Sequence, residues 1–509
     1  MPTLILAYDL GTTGNKATVF DADGAIVASA TSNYPTHFPR PGWAEQSADD
    51  WWRSTCETTG ELLRKGVDPA DIAVIGFSGH MMGCLPVDSS GTPLHNSLIH
   101  ADGRSEAACE MLRRRFGNEE LYQITGNRIA PQYTSPKISW FRSERPKLFE
   151  RTALFLQAKD YLAFRFTGRL GITDYSDASL SGLMDINKRS WAGELLEAIG
   201  ITESHLPEVV PAATLIGKVT REAAQATGLT DGTPIAIGGG DGACATVGAG
   251  ALAPGEAYNY GGSTSWISVV SERPLIDPQM RIFNLLDLDP SRANVLGTIQ
   301  CAGSSYQWFA DEIVPGGGHA EATSEADRFG PLNALARAAP PGSDKLFFLP
   351  YLMGERTPIW DANARGVFFG LSLSHRRAHL TRAVLEGIAY ALKSVCEVIE
   401  EQGGRFNSLS LIGGMAKGDI FREILAAVLG KTLLLPADPE VATSRGAAIA
   451  AAVAGGILGG YSDARPWIRQ EGKVMPDPGE VGLYARHFAV WKGLYPALKQ
   501  SFREAADLL

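Results

Sequence analysis

The sequence predicts a mixed α/β protein built from two related lobes. Three observations carry that expectation. The N-terminus reads as a βββαβ succession, its hairpin signature recurs in the second half, and 509 residues hold two or three domains at roughly 150 residues each. Leu4–Leu10 is an apolar run with Asp9 near its end, followed by the turn Gly11-Thr12-Thr13-Gly14-Asn15. Lys16–Asp21 and Ala25–Ala30, parted by Asp23-Gly24, read as the second and third strands. An amphipathic stretch, Asp50–Lys65, precedes Asp71–Ser78, a buried strand of parallel type. A meander, a helix and a further strand make a mixed sheet.

The second half repeats the opening. Asn259-Tyr260-Gly261-Gly262-Ser263-Thr264 leads into Trp266–Ser271 as Asp9-Leu10-Gly11-Thr12-Thr13-Gly14 leads into Ala17–Asp21. Two unrelated hairpins are the alternative. Gly248–Gly255 has no periodicity and marks a boundary between residues 1–247 and 248–509. A cleft between two such lobes is where a ligand is expected.

Lys and Arg number 46 against 56 Asp and Glu, a formal charge of −10. That balance argues against nucleic acid or an anionic membrane as partner, and leaves room for a local cationic pocket for phosphate. Hydrophobic residues at 45% and charged residues at 20% are those of a globular protein. The six cysteines include no C-x-x-C pair, which points to reduced thiols in a cytoplasm. Met1–Leu10 lacks the basic region of a signal peptide. Gly446–Tyr461 is the longest uncharged apolar run; it falls short of the ~20 residues a membrane span requires and reads as a buried helix with its turn.

Three glycine-rich strand ends could carry chemistry. In Asp9–Lys16, glycines let backbone N–H groups approach an anion, Thr12, Thr13 and Lys16 add donors, and Asp9 could hold Mg²⁺ through its waters. The stretch lacks the Walker A spacing, and a plain hairpin turn is the alternative. In Ile235–Gly242, three glycines precede Asp241, a candidate base for a hydroxyl proton or else a helix cap. In Leu411–Gly418, a strand runs through Gly413 and Gly414 to Lys417 and the helix Asp419–Gly430, an edge that suits a nucleotide. His375 and His379 stand four apart on an expected helix without the glutamate of H-E-x-x-H, so no structural metal is assigned.

Together these stretches resemble the FGGY family of carbohydrate kinases, most closely its xylulose kinases, over nearly the whole chain. Gly366–Leu371 and His379–Glu386 fit the family's C-terminal signature, and Phe347–Pro358 is similar to its xylulokinase-type segment. Tyr133–Trp140 resembles the N-terminal signature, from which Gln132 and Ser143 depart; Ala158–Gly168 and Thr173–Ser179 also look familial.

The resemblance implies two actin-like (ribonuclease-H-like) lobes with a central cleft, closing over ATP and a sugar. It implies Asp9 as the holder of Mg²⁺, Thr12 and Thr13 near the transferred phosphate, and Asp241 as catalytic base. Gly261, Gly262 and Ser263 become a second phosphate loop, and Gly413-Gly414 the nucleotide turn. On the sugar side, His80-Met81-Met82-Gly83 stands where xylulokinases have Gln-Met-His-Gly, and His100-Ala101-Asp102-Gly103-Arg104 where they have Trp-Asn-Asp-x-Arg. Gly242 replaces an asparagine and Met415 a glycine. If 79–83 is extended, the side chains at 80 and 82 share a face. The expected activity is ATP-dependent phosphorylation of D-xylulose or a related pentulose to the 5-phosphate. Another ketose, polyol or sugar-like acceptor is the alternative, and a nucleotide-driven binding protein of the actin/Hsp70 kind is the alternative of another class. The resemblance also suggests a homodimer.

Overall fold

In this computed structural model, which describes residues 3–314 and 325–508, β1 (Leu4–Leu10), β2 (Gly14–Asp21) and β3 (Ile26–Asn33) form the antiparallel meander. β4 (Ile72–Gly79) runs parallel to β1, placing Asp9 opposite Ser78 and Leu10 opposite Gly79. β5 (Leu215–Lys218), β6 (Pro234–Ala236) and β7 (Gly239–Gly240) complete the sheet. Its order is β5-β6-β4-β1-β2-β3, with β7 beside β4.

Helix α1 (Ala48–Arg64) covers this meander. Ser47 caps it by accepting the Asp49 N–H, and Asp49 and Asp50 oppose the positive end of its dipole. Its buried face is partly polar, with Ser54, Thr55, Thr58 and Thr59 beside Trp51 and Leu62. Partners offset that cost: the Tyr8 hydroxyl bonds Thr59 Oγ1 at 2.6 Å, and Asn15 Nδ2 donates to Thr55 Oγ1 at 3.0 Å.

The sheet and its helix belong to the first of two units, Met1–Pro254 with Val270–Asn294 and Val441–Ile468. The second comprises Gly255–Val269, Val295–Glu440 and Arg469–Leu509. Beyond the expected boundary, the chain therefore returns to unit 1 twice. The later return includes the helix Ala442–Ala454, whose part from Gly446 onward belongs to the apolar run read as a buried helix. It meets α2 (Asp241–Gly248) backbone to backbone: a Cβ on Gly446 would lie 1.9 Å from the Cys244 carbonyl oxygen. Only glycine permits that approach.

Unit 2 has its own sheet, six of whose seven strands, β8 (Ala257–Gly261), β9 (Ser265–Ser271), β10 (Ala293–Ile299), β11 (Ser408–Ile412), β12 (Thr432–Pro436) and β13 (Gln470–Val474), lie in the order β10-β9-β8-β11-β12-β13. β8 pairs antiparallel with β9 and parallel with β11. The buried helix Arg377–Glu401 forms much of this unit's core. One expectation is corrected here: His379 lies on that helix, but His375 precedes it. The two rings cap turns, His375 Nδ1 accepting the Ser372 N–H and His379 Nδ1 the Arg376 N–H. All six cysteines are free thiols, five of them buried. Among the described residues no helix is long and apolar enough to cross a membrane.

Candidate active site

Three adjacent strands of unit 1 assemble an acidic pair. β4 lies between β1 and β7, so Ser78 has Asp9 on one side and Gly239 on the other. Asp241 follows directly as the first residue of α2. Gly240 occupies the N-cap position, which removes the helix-cap alternative for Asp241. Both residues are half-buried. Burial pushes Asp9 up to about 6, against the pull of the Ser78 hydrogen bond and the Lys16 charge. Burial and the neighbouring negative charge of Asp9 push Asp241 up to about 7. A carboxylate poised near neutral pH is suited to accept a hydroxyl proton.

The turn after β1 is tied down by its carbonyls. Gly11 O accepts the Tyr34 hydroxyl, Thr12 O accepts Gln46 Nε2 at 2.7 Å, and Thr13 O accepts the Tyr34 N–H at 3.2 Å. Thr13 is exposed and Thr12 half-buried. Lys16 sits opposite Asp9 across the hairpin, which puts a cation beside the carboxylate.

On the other flank, His80 is buried and neither ring nitrogen has a hydrogen-bond partner. Trp51 meets it edge-on at 5.4 Å, and burial pushes its pKa down to about 3, so the ring is neutral. Met81 packs on the Asp241 turn: a Cβ on Gly240 would lie 2.4 Å from Met81 Cε, and one on Gly242 3.6 Å from its Sδ. The extended reading of 79–83 is corrected. β4 ends at Gly79, and Met82 takes a left-handed φ of 63° in a bend, so residues 80 and 82 share no strand face. Asp102 and Arg104 engage one another. Arg104 Nε donates to both Asp102 oxygens at 2.9 Å, its Nη2 lies 2.8 Å from Glu45 Oε1, and Trp43 stacks 3.7 Å below the guanidinium.

Two groups beside this site were not anticipated. Lys137 is fully buried, with Nζ donating to the carbonyls of Met82 and Gln132 at 2.7 Å, and burial lowers its pKa to about 7. The place of this lysine within Tyr133–Trp140, the stretch that resembles the family's N-terminal signature, was the available signal. Gln132 enters through its carbonyl, which any residue offers. Ser78 was legible only as the end of a strand.

Unit 2 carries a second set of loops. Gly262 O accepts the Gly303 N–H at 2.9 Å, while Ser263 O accepts the N–H groups of Ala302 and Ser304 at 2.9 and 3.2 Å. Ser263 itself is exposed. Gly413 has φ 90°, and a Cβ there would lie 2.6 Å from the Gly261 carbonyl oxygen. Gly414 is exposed, with nothing within 4 Å of where its Cβ would stand, and Lys417 is exposed three residues on. The Met415 side chain fills the space that Gly261 leaves: a Cβ on Gly261 would lie 2.9 Å from Met415 Cβ. Closely apposed glycine turns of this kind leave backbone N–H groups within reach of phosphate oxygens.

The N-terminal domain of the FGGY family of carbohydrate kinases matches residues 4–248, and its C-terminal domain residues 257–455. A xylulose kinase from Bacillus subtilis (strain 168) is 31% identical over 497 residues, covering 97% of each chain. A gluconokinase from the same organism is 28% identical, covering 100% of this chain and 98% of its own. The crystal structure of gluconate kinase from Lactobacillus acidophilus superposes with a TM-score of 0.92 at 26% identity, covering 99% of this chain and 100% of that one. The two units have the actin-like, ribonuclease-H-like fold. By sequence and by fold, this chain belongs to the FGGY family of carbohydrate kinases.

Proposed function

We propose that this ATP-dependent sugar kinase phosphorylates the terminal hydroxyl of D-xylulose or a related pentulose, giving the 5-phosphate and ADP. The observation that carries the reading is the placing of Asp9 and Asp241 at the ends of β1 and β7, the two strands that flank β4. Asp241 accepts the proton of the attacking hydroxyl as its oxygen bonds to the γ-phosphorus and the bond to the ADP oxygen breaks. Positioning and charge stabilisation supply most of the remainder in phosphoryl transfer.

Asp9 is the residue placed to hold Mg²⁺. A single carboxylate suits an ion that keeps several waters and takes phosphate oxygens. When bound, Mg²⁺ supplies positive charge against the phosphate oxygens. Thr12, Thr13 and Lys16 present donors to the transferred phosphate. Gly261, Gly262, Ser263, Gly413, Gly414 and Lys417 serve the nucleotide from residues 248–509. Residues 1–247 contribute the sugar side through His80, Met81, Met82, Asp102 and Arg104. The neutral, unpartnered His80 ring offers one donor and one acceptor to a sugar hydroxyl. Six free thiols support a cytoplasmic setting, and a homodimer is the assembly we expect.

A sugar acid is the second reading, favoured by the full-length similarity to a gluconokinase. One panel decides between them: ADP release with D-xylulose, other pentuloses, pentitols and gluconate. Turnover that rises by orders of magnitude with a pentulose supports the proposal. A preference for gluconate, or turnover indifferent to every sugar, overturns it.

A further inference from the structure

Beneath the Asp241 turn lies a charged cluster that the reading above does not use. Lys159 Nζ is 2.7 Å from Asp160 Oδ1, 2.9 Å from Asp174 Oδ1 and 3.0 Å from Asp177 Oδ2, and all four side chains are sealed from solvent. Burial alone lowers a lysine pKa, but here three carboxylates outweigh it and hold Lys159 well above its usual range. Burial drives Asp177 strongly upward. Buried ions of this kind rarely add stability over a packed apolar core. Fold stability is therefore a poor account of them.

The cluster leads to the active site in three steps. Asp174 Oδ2 accepts the Ser176 N–H at 2.8 Å and the Ser176 hydroxyl at 2.5 Å. Ser176 Oγ in turn accepts the Gly240 N–H at 2.9 Å. Gly240 is the residue before Asp241. On the same turn, a Cβ at Gly239 would lie 3.1 Å from Ser176 Oγ and 2.2 Å from Leu288 Cδ2, so the backbone sits hard against its support.

We propose that Lys159, Asp174 and Ser176 are positioning residues for Asp241. The ammonium fixes Asp174, Asp174 orients the Ser176 hydroxyl, and that hydroxyl holds the peptide from which the base projects. The inference rests on Asp241 being the base. Small displacements of a reacting group are costly in rate, so the link acts on kcat rather than on affinity.

Ser176→Ala removes the acceptor for the Gly240 N–H and the hydroxyl donor to Asp174, and leaves the formal charge unchanged. It should lower kcat about tenfold, the scale of one lost hydrogen bond to a buried donor, with KM for sugar and ATP within about twofold. In an Asp241→Asn background the same change should cost less than about twofold, because the group it positions is already gone. Asp174→Asn, which preserves volume, should show the same non-additivity and stands in for Ser176→Ala if that variant does not fold. An equal loss in both backgrounds, or no loss in wild type, overturns the positioning role and leaves the base intact. Wild-type turnover in Asp241→Asn alone overturns both.

Discussion

The sheets of the two units repeat one another, and the repeat shows where chemistry was added. Unit 1 runs β3-β2-β1-β4-β6-β5, and six of the seven strands in the other sheet run β10-β9-β8-β11-β12-β13. In each, a hairpin strand lies parallel to the strand that follows a helical connection: β1 with β4, and β8 with β11. The outermost pair is antiparallel in both, β5 with β6 and β12 with β13. Asp9 and Asn259 hold corresponding places, opposite Ser78 and Leu411. Their fates differ. Asp9 is half-buried with a raised pKa, whereas Asn259 is buried and spends its amide on Ser265 Oγ at 2.9 Å and the Trp266 carbonyl at 2.8 Å. One hairpin leaves its side chain half-exposed; the other uses the equivalent side chain to brace its own turn.

Asp241, which follows β7, is the sharpest break in the repeat, since no carboxylate in unit 2 follows an equivalent short strand beside β11 among the described residues. Asp241→Asn keeps shape and removes the proton acceptor. Turnover should fall ~10²–10⁴-fold while ATP still binds, measured by steady-state kinetics and calorimetry. A variant keeping a third of wild-type turnover removes Asp241 from the base role.

Exchanging the paired positions tests the difference between the hairpins. Asp9→Ala should lower turnover and raise the Mg²⁺ concentration for half-maximal rate. Asn259→Ala should leave that titration unchanged and instead lower the melting temperature, because it removes the amide donor to Ser265 Oγ and the Trp266 carbonyl. An Mg²⁺ titration identical for wild type and Asp9→Ala makes Asp9 a structural strand end.

The raised carboxyls also fix the sign of a pH effect. Asp241 titrates near 7 when folded and near 3.8 when unfolded, so the native state binds the extra proton between those values. Stability from this group is present below about pH 4 and is lost as pH rises through about 7. Asp241→Asn should therefore melt above wild type at pH 8, with the gap closing towards pH 4. For activity the direction is opposite: kcat/KM should rise through pH 6–7 as the base ionises. A melting difference independent of pH between 4 and 8 contradicts the raised pKa.

How much of this was written locally in the chain differs between the two sets of features. The hairpins, Asp9, Asp241 and the glycine turns were legible because glycine clusters at strand ends are a local signature. The Met82 bend was not, since alternation along 79–83 carries no sign of a left-handed φ. Nor was the return of Val441–Ile468 to unit 1: small apolar residues announce burial, not the surface against which they pack. The partners of Lys159 lie up to eighteen positions away in sequence, beyond any periodic pattern. His375 was read onto a helix that begins two residues later, because its capping role depends on Ser372.

The smallest expected effect concerns Met415, where unit 2 departs from the glycine of its family pattern. Its side chain occupies the space beside Gly261, and a Cβ on Gly303 would lie 3.6 Å from its Cγ. It therefore packs against the turn that carries Gly262 and Ser263. Met415→Gly has two consequences of opposite kind. It strips a half-buried thioether from the junction, which should lower the melting temperature slightly. It also opens the turn at 413–415, letting its N–H groups approach a phosphate as closely as they do in an all-glycine turn. The KM for ATP should fall by up to about fivefold, the equivalent of about 1 kcal/mol, with the KM for sugar unchanged. A lowered melting temperature with an unaltered KM for ATP makes Met415 a packing residue alone. A parallel change in the sugar KM places its influence on the unit 1 site instead, and the two hairpins then cease to act as separate binding elements.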